Sequence, residues 1–193
     1  MISIRQVHGD GVVIWEGGPQ RPEELWRKEG DALITCIPGY ALGVFTADCL
    51  PILLFDPVKR VVGIVHAGWR GTARAISHKA VEKMGEAFRC ASENLLAVLG
   101  PGIGPCCYEV DVPVKEAFAA GGLPWERMAS SRGGGRWSLD LYQANTYLLE
   151  RVGVKRENIH RLELCTSCHR DTFYSYRAEG KIQGEQLSFI ALR

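Results

Sequence analysis

No stretch of this 193-residue chain stays apolar for the roughly 20 residues that a membrane-spanning helix needs. The opening residues, Met1 to Trp15, lack the long apolar run and small-residue cleavage site of a secretory signal, so a cytoplasmic protein with no membrane partner is expected. An excess of either charge is also missing. The 23 basic and 22 acidic residues leave a net charge of +1, which removes the electrostatic case for a nucleic-acid partner but leaves room for a small anionic substrate. There is no internal repeat and no low-complexity block. A disulfide framework is not expected either. The seven cysteines (Cys36, Cys49, Cys90, Cys106, Cys107, Cys165 and Cys168) are odd in number and irregularly spaced, without an export signal. Some of these thiols should simply pack, since free cysteine behaves as a small hydrophobe, and one or two are candidate ligands.

What is present is enough apolar residue, 46%, for a full core in one domain over residues 1–193. Short Val-, Ile-, Leu- and Phe-rich runs predict strands at 11–15, 32–36, 41–45, 51–55, 60–65 and 95–99, with later ones near 159–164, 173–176 and 187–192. Apolar residues at helical spacing predict helices over 72–88, near 114–120 and from Leu141 to Val152. Turns are expected from Pro19 to Pro22, at Asp56-Pro57 and at Gly133-Gly134-Gly135. Strands and helices mix without strict βαβ alternation, which points to a mixed-sheet α/β or α+β fold rather than a Rossmann fold.

Three segments carry the chemistry, and each ends or interrupts a strand: Gln6-Val7-His8-Gly9, Thr46-Ala47-Asp48-Cys49-Leu50-Pro51 and His66-Ala67-Gly68-Trp69-Arg70-Gly71. Cys49 falls where the chain reverses between two apolar runs, and His66 follows another, so adjacent strands would present the two side by side. A thiolate against an imidazole serves either as a nucleophilic pair or as part of a metal site, and His8 supplies a natural third ligand. Arg70 beside Trp69 is a candidate anchor for a substrate phosphate or carboxylate, or else a surface arginine lying on a ring.

Residues 99–105, Leu-Gly-Pro-Gly-Ile-Gly-Pro, suggest a tight substrate-facing turn; their prolines rule out a dinucleotide fingerprint. Adjacent side chains diverge, so Cys106 and Cys107 are expected to pack rather than share a metal. Cys165-Thr166-Ser167-Cys168-His169 matches a haem-attachment pattern, which the missing export signal argues against; a second zinc site there lacks a visible partner cluster. His78 and His160 receive no role.

Together the three segments, followed by Leu99 to Val110 and by Phe173-Tyr174-Ser175-Tyr176-Arg177, resemble the YfiH family of laccase-domain, or polyphenol-oxidase-like, proteins, from Gln6 to Ile190. The resemblance implies layered helices and mixed β-sheets, as in the catalytic domain of cytotoxic necrotizing factor. It implies a metal on His8, Cys49 and His66; two imidazoles, one thiolate and an open position fit zinc, with copper the less favoured alternative that the residues alone leave open. It further implies phosphorolysis of adenosine, inosine and methylthioadenosine, or deamination of adenosine. Asp48 then becomes a candidate proton shuttle by adjacency, and Arg70 a holder of phosphate. Family members usually carry a further N-terminal segment before the first motif. This chain begins almost at that motif, so metal binding with weak turnover is one expectation.

Three other readings compete. Cys49 attacking with His66 as base would make a Cys–His amide hydrolase, acting as a deamidase or on peptidoglycan precursors. The family's older name suggests copper-dependent phenol oxidation, which five histidines cannot support across several copper centres. A non-enzymatic purine- or partner-binding domain with structural zinc is the third.

Overall fold

The computed structural model describes residues 1–17 and 22–193. The turn expected from Pro19 therefore starts outside the described residues, and Pro22 opens a short 3₁₀ turn, Pro22–Arg27. In chain order come β1 (Val12–Trp15), β2 (Ala32–Thr35), β3 (Ala41–Thr46), β4 (Leu50–Asp56) and β5 (Val61–Ala67). Helices α1 (Trp69–Ala73) and α2 (Ile76–Phe88) follow, then β6 (Leu96–Leu99). The second half adds β7 (Glu109–Val110), α3 (Val112–Ala120), β8 (Ala129–Gly133), β9 (Arg136–Leu139) and α4 (Leu141–Arg151). It ends with β10 (Ile159–Arg161), the single turn α5 (Tyr176–Glu179) and β11 (Gln186–Ala191).

The central sheet runs β1-β2-β5-β4-β6-β10. Its outer pairs, β1–β2 and β6–β10, are parallel and the inner pairs antiparallel, giving the mixed sheet expected. Both of its faces are covered, which explains why its strands read as continuous apolar runs rather than alternating ones. On one face Ile34, Ile52 and Val65 pack with Ile76, Ala80 and Met84 of α2 and with Leu148 of α4. On the other, Leu33, Val62 and Ile64 meet Leu42 and Val44 of β3, which pairs antiparallel with β11. A helix layer, a six-stranded sheet and a two-stranded sheet are thus stacked in that order. A separate three-stranded sheet, β7-β9-β8, adds Val110 and Leu139 to the helix-side core. No helix among the described residues is long and apolar enough to cross a membrane.

Three expectations need correction. The helix over 72–88 is two helices, because Ala75 adopts a left-handed conformation (φ 60°) that stops α1 and starts α2 at a new angle. Residues 173–176 are not a strand. Tyr174 and Tyr176 are exposed, and the Ser175 hydroxyl accepts the Ala178 N–H to cap α5. The hairpin β8–β9 was not foreseen, since polar, exposed Ser130 to Gly133 carry no alternation.

Candidate metal centre

His8, Cys49 and His66 reach one point from three directions. Antiparallel pairing of β4 with β5 sets Leu50 opposite Ala67 and Pro51 opposite His66, so Cys49, just before β4, lands beside the end of β5. His66 lies within β5 rather than beyond it, and every residue of that strand is buried. His8 comes from the N-terminal segment, in a left-handed conformation (φ 57°). Its ring meets that of His66 edge to face, with centroids 4.8 Å apart. The donor atoms of all three residues lie within 4.8 Å of one another.

Asp31, which sequence reasoning missed, holds this arrangement. It is fully buried at the entrance to β2. Its carboxylate accepts the N–H groups of Val7, His8 and Gly9 at 3.3, 3.0 and 2.6 Å, fixing the loop that carries His8. The same group lies 2.8 Å from His66 Nδ1. A carboxylate only accepts, so Nδ1 carries the proton, and in the neutral ring the Nε2 lone pair is the one left for the site. A charged residue directly before a fully apolar strand was the available signal.

Burial alone would push the Cys49 thiol up and the His66 imidazole down. Both move the other way. Contact with His66 and His8 brings Cys49 down to about 7, and contact with Asp31 and Cys49 carries His66 up to about 9. Asp31 is held below its ordinary value despite burial, through His66 and the Gly9 and Val7 amides.

The donor set fits a divalent metal. Gly68 leaves the room: a Cβ there would stand 2.8 Å from Cys49 Sγ and 3.5 Å from His8 Cδ2. Two imidazoles and a thiolate leave a fourth position free on a four-coordinate metal, and His66 backed by Asp31 has the outer support that metal-ligating histidines carry.

Asp48 is buried beside Cys49 with φ 87°. Both carboxylate oxygens are engaged, one by the Thr166 hydroxyl and one by the Arg177 N–H, each at 2.6 Å. Tyr108 joins this cluster. Burial and the Cys49 and Asp48 charges raise its phenol, Arg177 and Arg70 oppose that, and the Arg177 guanidinium lies 5.2 Å over its ring. The turn at residues 99–105 is pinned from behind, with Gly100 N–H on the Pro51 carbonyl and Ile103 N–H on that of Asp48.

Arg70 is exposed and stacks on Trp69, 4.3 Å from its centroid. It lines a cleft of about 470 Å³ with Asp10, Trp69, Arg74 and Lys79, whose wall does not include the three donors. His78 pairs with Glu82 along α2.

Cys107 is half-buried and packs against the main core as expected, but Cys106 does not. Cys106 is exposed, and both sulfurs approach Cys168, at 3.6 and 3.4 Å. The partner cluster missing from the sequence for Cys165 and Cys168 is this pair, delivered by a loop some sixty residues earlier.

A family model described as multi-copper polyphenol oxidoreductase laccase matches residues 1–193. The chain belongs to that family. The purine nucleoside phosphorylase YfiH of Shigella flexneri is 38% identical over 191 residues, covering 99% of this chain and 73% of the relative. The human purine nucleoside phosphorylase LACC1 is 34% identical over 93% of this chain, which spans only 41% of that protein. The Bacteroides thetaiotaomicron purine nucleoside phosphorylase is 36% identical over 84% of the chain, again with only 60% of the relative spanned. Among solved structures, Bacillus licheniformis hypothetical protein YfiH superposes with a TM-score of 0.93 at 33% identity, over 100% of this chain and 74% of that one. Geobacillus stearothermophilus YlmD gives 0.91 at 32%. The family membership and the layered YfiH/YlmD fold implied by the motifs are thereby shown.

Proposed function

We propose that this family member is a zinc-dependent purine nucleoside enzyme, with His8, Cys49 and His66 as metal ligands. The observation that carries the proposal is the convergence of these three donors at a point kept open by Gly68. The names of the relatives supply the substrate class. Zinc bound there would act as a Lewis acid beside the reacting atoms.

In phosphorolysis a phosphate oxygen bonds to the ribose anomeric carbon, the glycosidic bond breaks and the base leaves with that electron pair and a proton. Arg70, exposed on the cleft beside the candidate centre's strand end, is the candidate holder of the phosphate, while Arg74 and Lys79 along the same cleft are paired with Asp10. Asp31 keeps the His66 ring in one tautomer throughout. Asp48, both of whose oxygens are occupied, is better suited to holding the Cys49 turn than to shuttling protons. Deamination of adenosine at the same centre is part of the reading. A reducing, cytoplasmic setting belongs to it as well, because Cys49 must remain a thiolate.

One observation favours a second reading. Cys49 down to about 7 beside His66, itself backed by Asp31, is also the arrangement of a Cys–His–Asp hydrolase. Metal content separates the two. Purified protein, half of it metal-stripped, is incubated with adenosine or inosine and phosphate, and the products are separated by chromatography. Free base or deaminated nucleoside formed only by the zinc-loaded half supports the proposal, and Cys49→Ala should abolish it. Amide hydrolysis that survives stripping would replace it with the hydrolase.

A further inference from the structure

We propose that Cys106, Cys107, Cys165 and Cys168 form a second, structural metal site for zinc, separate from the centre at His8, Cys49 and His66. Their four sulfurs all lie within 4.8 Å of one another. Sulfurs bonded tetrahedrally to zinc at about 2.3 Å stand about 3.8 Å apart. The Cys106–Cys168 and Cys107–Cys168 separations of 3.6 and 3.4 Å are close to that edge and far from a disulfide bond of about 2.05 Å.

The backbone is arranged for thiolates. Cys165 and Cys168 sit on one tight turn, where Cys168 N–H and His169 N–H both donate to the Cys165 carbonyl at 3.1 Å. Gly104 N–H donates to Cys165 Sγ at 3.2 Å. A Cβ on Gly104 would come within 3.3 Å of Cys106 Sγ and 3.2 Å of Cys165 Cβ, so a side chain there would force the two loops apart. Four thiolates around a divalent ion leave a net charge of −2. Two guanidiniums stand ready to offset it: Arg132 donates to the Cys106 carbonyl, and Arg177 to those of Cys107 and Glu109.

Four protein ligands leave no open position, so the site braces rather than reacts. What it braces is plain from its neighbours. The loop of Cys106 and Cys107 holds the Asp48 carbonyl through Ile103 N–H at 2.8 Å, and the loop of Cys165 and Cys168 holds the Asp48 carboxylate through Thr166. Clamping the two loops together therefore fixes the turn that presents Cys49.

Cobalt(II) is the probe. The Cys49→Ala chain, which lacks the thiolate of the first centre, is stripped under reducing conditions and titrated with cobalt(II). The expected result is strong sulfur-to-cobalt charge transfer with tetrahedral ligand-field bands, bleached by zinc and weakened when Cys168→Ser is added. Absence of charge transfer, with the six remaining thiols alkylatable and the circular dichroism unchanged, would overturn the proposal. Should Cys49→Ala fail to fold, the intact chain serves. Zinc content by mass spectrometry should then be two per chain, with X-ray absorption giving a sulfur-dominated average shell. One zinc per chain with imidazole nitrogen in its shell, or a Cys107–Cys168 disulfide in the protein as purified, would overturn it equally.

Discussion

At the scale of single residues, Asp31 has the largest consequence. It accepts three backbone N–H groups and the His66 ring N–H, so it shapes two of the three candidate ligands without belonging to the donor cluster itself. Asp31→Asn keeps the volume but gives up the charge and can set the wrong His66 tautomer. Zinc affinity should fall about 10–100-fold, read by competition with a chromophoric chelator; unchanged affinity would remove Asp31 from the site. Cys90 shows the opposite electrostatics. Burial, with the Asp56 carboxylate beside it, pushes its thiol up to about 12. An unfolded cysteine loses its proton near about 8.5, so between there and 12 only the unfolded chain releases it, and stability should drop as pH rises through that window. Urea melts at successive pH values should show a shallower decline in Cys90→Ala. Cys49 and His66 were legible at this scale because both flank apolar runs. Asp31 was marked only by its place directly before the apolar run of β2; that its carboxylate reaches back to residues 7–9 is set by the fold.

Elements were readable where burial is two-sided and unreadable where backbone conformation decides. The strands β2, β4 and β5 stand out as apolar runs because a helix layer covers one face and β3 the other. The break between α1 and α2 carries no mark, since an alanine in a left-handed conformation looks like any helical alanine in sequence. The Phe173–Tyr176 run misled for a related reason: aromatic residues favour strands, but these tyrosines are exposed, and the Tyr174 N–H goes to the Gln186 side chain at the start of β11 rather than into a ladder. The far end of α2 offers a quantitative check on backbone conformation. Arg89 caps the helix at φ 58°, exposed, with its N–H on the Gly85 carbonyl. Glycine reaches that conformation without the Cβ penalty, so Arg89→Gly should stabilise the chain by about 1 kcal/mol. Thermal melts would register this as a rise of a few degrees; a fall would show that the arginine side chain does more than cap.

At the scale of the whole molecule, the candidate centre is a meeting of distant segments. His8, Asp31, Cys49 and His66 come from four separate elements, and Asp48 is held by Thr166 and Arg177 from near the far end of the sequence. That spread is why motifs pointed to the candidate ligands but not to their supports: the candidates have distinctive chemistry, whereas the supports are ordinary polar residues made relevant only by folding. It also means that a metal bridging these segments would act as a cross-link in the native state alone, adding RT ln(1 + [L]/Kd), about 4 kcal/mol at a thousandfold excess over Kd. Chelation should therefore lower the melting temperature by several degrees. It should also raise deuterium uptake at residues 6–9 and 47–50, while the packed faces of α2 and α4 stay protected. If the four-cysteine cluster also holds an ion, residues 101–107 and 165–168 should loosen under chelation as well. In Cys168→Ser those two loops should be loose from the start, with the response at 6–9 retained. Uptake unchanged at residues 6–9 and 47–50 after complete chelation would mean that no metal ties the N-terminal segment to β4 and β5, and the zinc reading of His8, Cys49 and His66 would fall with it.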